Sequence, residues 1–201
     1  MEIAPQFIVH ETDHWIINHH LASALPGYLM LGSRLNTSSL ADLSADALTE
    51  MGGLLAKTQQ LMERILTPAH LYIGRFGHQP GWPIHFHFIP VYHWVEDLFW
   101  KDERYRQLAN FAYAENALSS TDGAELTLFI WREFGENPVP PEIQGPSVDE
   151  VIRELRGARL HRAGTMSTGQ ANHLLKQDVW SACPHHRGTW LSAGYLHSQG
   201  R

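Results

Sequence analysis

Two rhythms of apolar residues divide the first hundred positions. Between Ser44 and Thr67, Leu48, Met51, Leu55, Leu61, Met62 and Ile65 recur at helical spacing, which predicts one long amphipathic helix. It ends at Thr67-Pro68, because a residue before proline is biased away from helical dihedrals. Shorter stretches alternate instead. Residues 6–10 and 14–18 predict strands around a turn at 11–13, and Pro26-Gly27 precedes a strand over 28–32. Residues 71–73 predict another, and 84–92 are nearly pure β-formers. Downstream the pattern predicts a helix over 104–116, a turn at Thr121-Asp122-Gly123 and a strand over 125–134. Pro138, Pro140 and Pro141 make a rigid linker, and Ser147 with Glu150 forms a capping box opening a helix to about Arg156.

Composition narrows the class. The chain has 201 residues, 22.8 kDa and 43% hydrophobic content, enough for one domain with appendages or two small ones. Its formal charge is -6, so no extended nucleic-acid surface is expected. The charge is uneven: 20 acidic against 10 basic residues up to Arg156, then five basic residues against Asp178 alone. That shift, with no sustained periodicity, predicts a weakly ordered tail over 157–201. Cys183 is the single cysteine, which excludes an internal disulfide and fits a reducing compartment. The expected location is cytoplasmic, because no stretch reads as a membrane span and the first residues lack the pattern of a secretion signal.

Histidine is the outlier, at 14 residues, and the informative segment is Gly77-His78-Gln79-Pro80-Gly81-Trp82-Pro83-Ile84-His85-Phe86-His87-Phe88-Ile89-Pro90. On a strand, His85 and His87 share one face while Ile84, Phe86 and Phe88 share the other. The aromatic face is expected inward, with the imidazoles looking into a cleft. Spacing leaves three readings open: a nucleophile with a helper, two metal ligands, or a polar strand face. The last is the commonest for so short a motif.

The segment resembles the motif of the histidine triad (HIT) family of nucleotide hydrolases and transferases, His-φ-His-φ-His-φ-φ with φ apolar, on a strand after a Gly-rich phosphate loop. Aligned on His87-Phe88-Ile89-Pro90, His85 falls at the central histidine, His87 at the third and Pro83 at the first. The likeness extends back through the paired-strand start, Leu25-Pro26-Gly27, the helix from Ser44 and the strand before the loop. It departs at Pro83, at His19-His20 where most members carry an acidic residue for the ribose, and in lacking the usual loop Asn near 73–76.

The resemblance implies an α+β fold, an antiparallel sheet packed with helices. A HIT-like nucleotide-binding domain would span 1–100, a helix and strand extension over 101–156 would pack on it, and the tail would follow. It implies that His85 attacks the α-phosphorus of a nucleotide to form a nucleotidyl-histidine, and that His87 orients or contacts phosphate. His78, or else His93, would stand in for the missing first histidine. A neutral imidazole can act this way when its other nitrogen donates to a fixed carbonyl. Gly77, Gln79, Gly81, Trp82 and Arg75 would bind the nucleotide, the glycines by letting backbone N–H groups approach the phosphates. Dinucleoside polyphosphates, diadenosine tetraphosphate among them, are the implied substrates. No cofactor is implied beyond a divalent cation accompanying the nucleotide. The implied assembly is a homodimer, with 44–67 and 94–100 as candidate interface.

Two rivals remain: a nucleotide-binding protein without turnover, suggested by Pro83, and a Zn²⁺ site of His85 and His87 with His78 or His93. His10, His14, His19 and His20 read as exposed polar surface near turns. Tyr92, Trp94, Phe99, Trp100, Phe129 and Trp131 read as core beneath the C-terminal helix and strand. Cys183, His185 and His186 resemble a metal tract but lack a second cysteine.

Overall fold

In the computed structural model, which describes residues 3–76, 81–106 and 123–158, five strands form one antiparallel sheet. They are β1 (Ile8–Glu11), β2 (Trp15–His19), β3 (Leu29–Ser33), β4 (His70–Gly74) and β5 (His85–Val91), in the order β1-β2-β3-β5-β4. The crossover is made by α1 (Ala45–Leu66), which carries the chain from β3 to the far edge. β5 then returns between β3 and β4, antiparallel to both. The strand holding His85 and His87 is therefore interior, its backbone fixed from two sides.

The 22 residues of α1 begin at Ser44, whose hydroxyl accepts from the Ala47 amide. Thr67, just past the helix, takes a left-handed φ of 43° before Pro68. One face of the sheet buries Trp15, Ile17, Leu29, Leu31, Ile84 and Phe88 against Leu54, Leu61 and Met62 of α1. Val151 and Leu155 of α4 (Val148–Gly157) join that cluster. Each such side chain contributes about 1.5–3 kcal/mol when fully buried. The Trp15 indole N–H donates to the Ala47 carbonyl at 3.0 Å, so its burial strands no polar atom. The capping box of Ser147 and Glu150 is formed, and the Arg156 guanidinium donates to the carbonyls of Pro5, Gln6 and Ile8.

The opposite face is covered only in part. Ile89 and Val91 of β5 pack with Leu25 and Tyr28 against Val95 and Phe99 of α2 (His93–Lys101). Leu126, Phe129 and Ile130 of α3 (Ala124–Ile130) and Phe134 complete that second core. The fold is α+β, with an antiparallel sheet packed between helices.

One expectation is corrected here. The strand expected over 125–134 is helical: α3 continues into a π-helical turn at Trp131–Glu136. Its buried residues Leu126, Phe129, Ile130 and Phe134 fall at offsets of three, four and eight, a helical period that the β-forming Thr127, Phe129, Ile130 and Trp131 disguised. The aromatic run after β5, for which the pattern predicts no element, is a helix, α2, with Val95 and Phe99 buried one turn apart. Boundaries move by less elsewhere. Pro5–Phe7 is a 3-10 turn before β1, and β3 begins at Leu29 rather than Tyr28. Of the helix expected over 104–116, Glu103–Tyr105 is a 3-10 turn and Arg106 is non-helical; residues 107–116 lie outside the described residues, as do Thr121, Asp122 and the expected tail from 159 onward.

Candidate functional site

Strand pairing assembles the site. In an antiparallel sheet, paired residues share a face, and β5 aligns His85 with Gly32 of β3 and His87 with Met30 of β3 and Gly74 of β4. A Cβ on Gly32 would meet nothing within 4 Å, so the space beside His85 on that strand is open. A Cβ on Gly74 would come 2.7 Å from the Phe76 ring. That close approach lets Phe76 fold back over the strand, 5.6 Å between centroids from His87.

His85 is partly exposed, and its Nδ1 lies 2.8 Å from the Pro83 carbonyl. A carbonyl only accepts, so Nδ1 carries the proton and Nε2 keeps its lone pair. The contact uses the main chain of residue 83, which a proline supplies as well as a histidine. The ring of His87 stands 5.0 Å from that of His85 at an interplanar angle of 68°.

His87 is 2% exposed. The expected division of β5 into an apolar inner face and a polar face looking into a cleft is therefore incomplete: Ile84 and Phe88 are buried as expected, but His87 is buried too. Its Nδ1 is 3.0 Å from the Tyr28 hydroxyl, while Nε2 has no hydrogen-bond partner among the described residues. Burial, with the neighbouring His85 and His20, pushes the His87 pKa down to about 4; the nearby Phe76 carbonyl pulls weakly the other way without forming a full hydrogen bond. Burial also holds the Tyr28 phenol well above its ordinary value. At neutral pH both groups are uncharged.

His20, expected on the surface, joins this cluster. Its ring lies 4.7 Å from Tyr28, 5.9 Å from His87 and 6.4 Å from Trp131. Burial first, then His19 and His85, lowers its pKa to about 4. Trp131, in the π-helical turn, approaches His87 to 6.1 Å and donates its indole N–H to Glu136. His19 is also corrected from surface to interior, at 1% exposure, with its ring nitrogens at the carbonyls of His20 and Leu25. These histidines had no usable signal in the chain alone, because which strand neighbours they face depends on long-range pairing.

The remaining expectations divide. Gly81 has φ +90° and open space where a Cβ would stand, and Trp82 is exposed, both in keeping with an accessible loop. Arg75 is exposed and bonded to the Ser38 carbonyl. Gly77, His78 and Gln79 lie outside the described residues. His93 does not enter the site. It opens α2 beyond the far end of β5, its side chain 89% exposed and near Glu96, roughly 20 Å of strand from His85 at about 3.3 Å per residue. A Zn²⁺ site using it is thereby excluded. Among the described residues no group of three or more His, Cys, Asp or Glu could hold a metal ion.

No protein-family model matches this chain, and no curated protein does. Solved structures similar to it include a HIT-like protein involved in cell-cycle regulation from Bartonella henselae, at 14% identity and TM-score 0.44, covering 78% of this chain and 88% of that one. A Zn-bound histidine triad family protein from Mycobacterium smegmatis is 15% identical at TM-score 0.44, with 85% and 89% covered. The NitFhit protein of C. elegans is 19% identical at TM-score 0.40 over 45% of this chain, which spans only 23% of that longer protein.

Proposed function

We propose that the protein transfers or hydrolyses nucleotidyl groups through a covalent intermediate on His85. The observation that carries this reading is the bond from His85 Nδ1–H to the Pro83 carbonyl. It leaves the lone pair on Nε2, on the open side of an interior strand, with a loop containing Gly81 immediately before it. In the first step Nε2 bonds to the α-phosphorus and the bond from phosphorus to the leaving-group oxygen breaks. In the second, water or another hydroxyl attacks phosphorus, loses a proton, and the N–P bond breaks to restore neutral imidazole.

Pro83 also bears on the substrate. It stands where the resemblance places a histidine for the leaving group and carries no proton to give. A polyphosphate or nucleoside phosphate leaves as a stable anion, since its second ionisation falls at about pH 6, and so needs no protein acid. That favours dinucleoside polyphosphates such as diadenosine tetraphosphate over conjugates with a poor leaving group. Any divalent cation arrives with the polyphosphate. His78 and the rest of the Gly-rich segment 77–82, with Arg75, serve the phosphates in this reading, and Trp82 the base.

The resemblance further suggests a homodimer acting in the cytoplasm. The apolar positions of α1 and α2 are largely spent inside the chain, as Leu54, Leu61, Met62, Val95 and Phe99 show, so the contact would use their outer faces. Incubating the protein with α-labelled diadenosine tetraphosphate should give an acid-labile adduct on His85, found by mass spectrometry. His85→Ala should lose turnover by at least about a thousandfold, roughly 4 kcal/mol, with its melting temperature kept. Full turnover in folded His85→Ala would defeat the assignment.

A further inference from the structure

His87 is a puzzle on its own terms. A ring nitrogen shut away from water with no partner costs about 1–3 kcal/mol, and Nε2 of His87 is such an atom among the described residues. Its other nitrogen meets a single group, the Tyr28 hydroxyl at 3.0 Å. Tyr28 is 2% exposed. Its backbone is held on both sides: the Tyr28 carbonyl accepts from the His20 amide, and Gly27, at φ +80°, fits a turn where a Cβ would strike Leu66 at 2.5 Å. The neighbouring Pro26 carbonyl is tied to the Tyr92 hydroxyl at 2.9 Å. This is a rigid mount for one phenol.

We propose that Tyr28 is a positioning residue that holds His87 with its proton on Nε2, so that the buried N–H is offered to an anionic oxygen of the ligand at His85. The direction of the hydrogen bond follows from chemistry. A phenol is a strong donor and a weak acceptor, because its oxygen lone pair is shared with the ring, whereas the bare imidazole nitrogen is a good acceptor. Tyr28 therefore donates to Nδ1, and the single proton of the neutral imidazole sits on Nε2. The depressed His87 pKa and raised Tyr28 pKa keep both groups in these states at neutral pH. An anion bound at His85 lies beside a ring only 5.0 Å away, and the unpartnered N–H gains its hydrogen bond when that anion arrives. A donor placed in advance, in a water-poor site, is the arrangement that stabilises charge developing on a reacting phosphoryl group.

The inference rests on the reading of His85 as an anion-binding nucleophile, but its first test does not require turnover. In ¹⁵N-labelled protein, the His87 ring should show a protonated Nε2 and a bare Nδ1. In Tyr28→Phe the ring should shift toward a mixture of tautomers. Inorganic phosphate should move the His87 Nε2 resonance, with an affinity about threefold to tenfold weaker in Tyr28→Phe. With diadenosine tetraphosphate, Tyr28→Phe should lower kcat about tenfold with little change in KM. In a His87→Gln background, where the amide supplies a donor that needs no tautomer, Tyr28→Phe should have no further effect. A proton on Nδ1 in the wild type, or an unchanged tautomer in Tyr28→Phe, overturns the role of Tyr28 whatever happens at His85. A response of His85 to phosphate without one at His87 overturns the donor role alone. If neither ring responds, the anion site fails and both readings fall with it.

Discussion

The two ends of one strand face make the sharpest contrast in the molecule. His85, His87, Ile89 and Val91 all point to the same side of β5, two residues apart in turn. At the later end, Ile89 and Val91 sit under Val95, Phe99, Phe129 and Ile130, an apolar layer supplied by α2 and α3. At the earlier end the neighbours on adjacent strands include Gly32 and Gly74, and the space is shared by His20, Tyr28, Phe76 and Trp131 around the two imidazoles. The same sheet geometry thus carries an apolar core at one end and a cluster of imidazole and aromatic rings at the other. What differs is whether a helix covers the strand, and whether the next strand brings a side chain or a hydrogen atom.

The largest expected effect breaks the covered end. Phe99→Ala empties a fully buried position and should cost about 3–5 kcal/mol, read by urea denaturation. Activity per folded molecule should change little, because Phe99 packs in the cluster of Ile89 and Val91, away from His85. A large activity loss without destabilisation would show that the two ends are not independent.

Acid should act on the other end. His20 and His87 have folded pKa values near 4 against an ordinary 6.5. The unfolded chain therefore binds the protons first, so stability is fully present above pH 6.5 and is lost as pH falls toward 4. His19 and His10 are lowered in the same sense. Each of these two shifts corresponds to a loss on the order of 3 kcal/mol, and denaturation of His87→Gln across this window should show a shallower slope. An equal slope would place the acid sensitivity elsewhere.

The smallest effect sharpens the boundary between the ends. Removing the ring that folds over Gly74, by Phe76→Ala, should admit water to His87. Since burial is the leading cause of its low pKa, the value should rise toward the ordinary one, by about one unit, in an NMR titration. An unchanged value would mean that Trp131 and Tyr28 shield the ring by themselves.

Much of the frame was legible in the chain alone. The spacing of Leu48 to Ile65, the capping box at Ser147 and the β-branched and aromatic runs are local signals, and α1, α4 and most strands follow them to within a residue or two. The placement of His85 on one face of a strand with His87 was also legible, because alternation along one strand needs no distant partner. α2 and α3 were missed: aromatic residues suit a strand and a buried helix equally, and only the layer they pack against decides between them. His20 and Tyr28 belong to the site solely through the register of β2 and β3 with β5, and Trp131 through the docking of α3. A two-residue period places side chains on a face, but which faces meet is decided by pairing and burial between residues tens of positions apart.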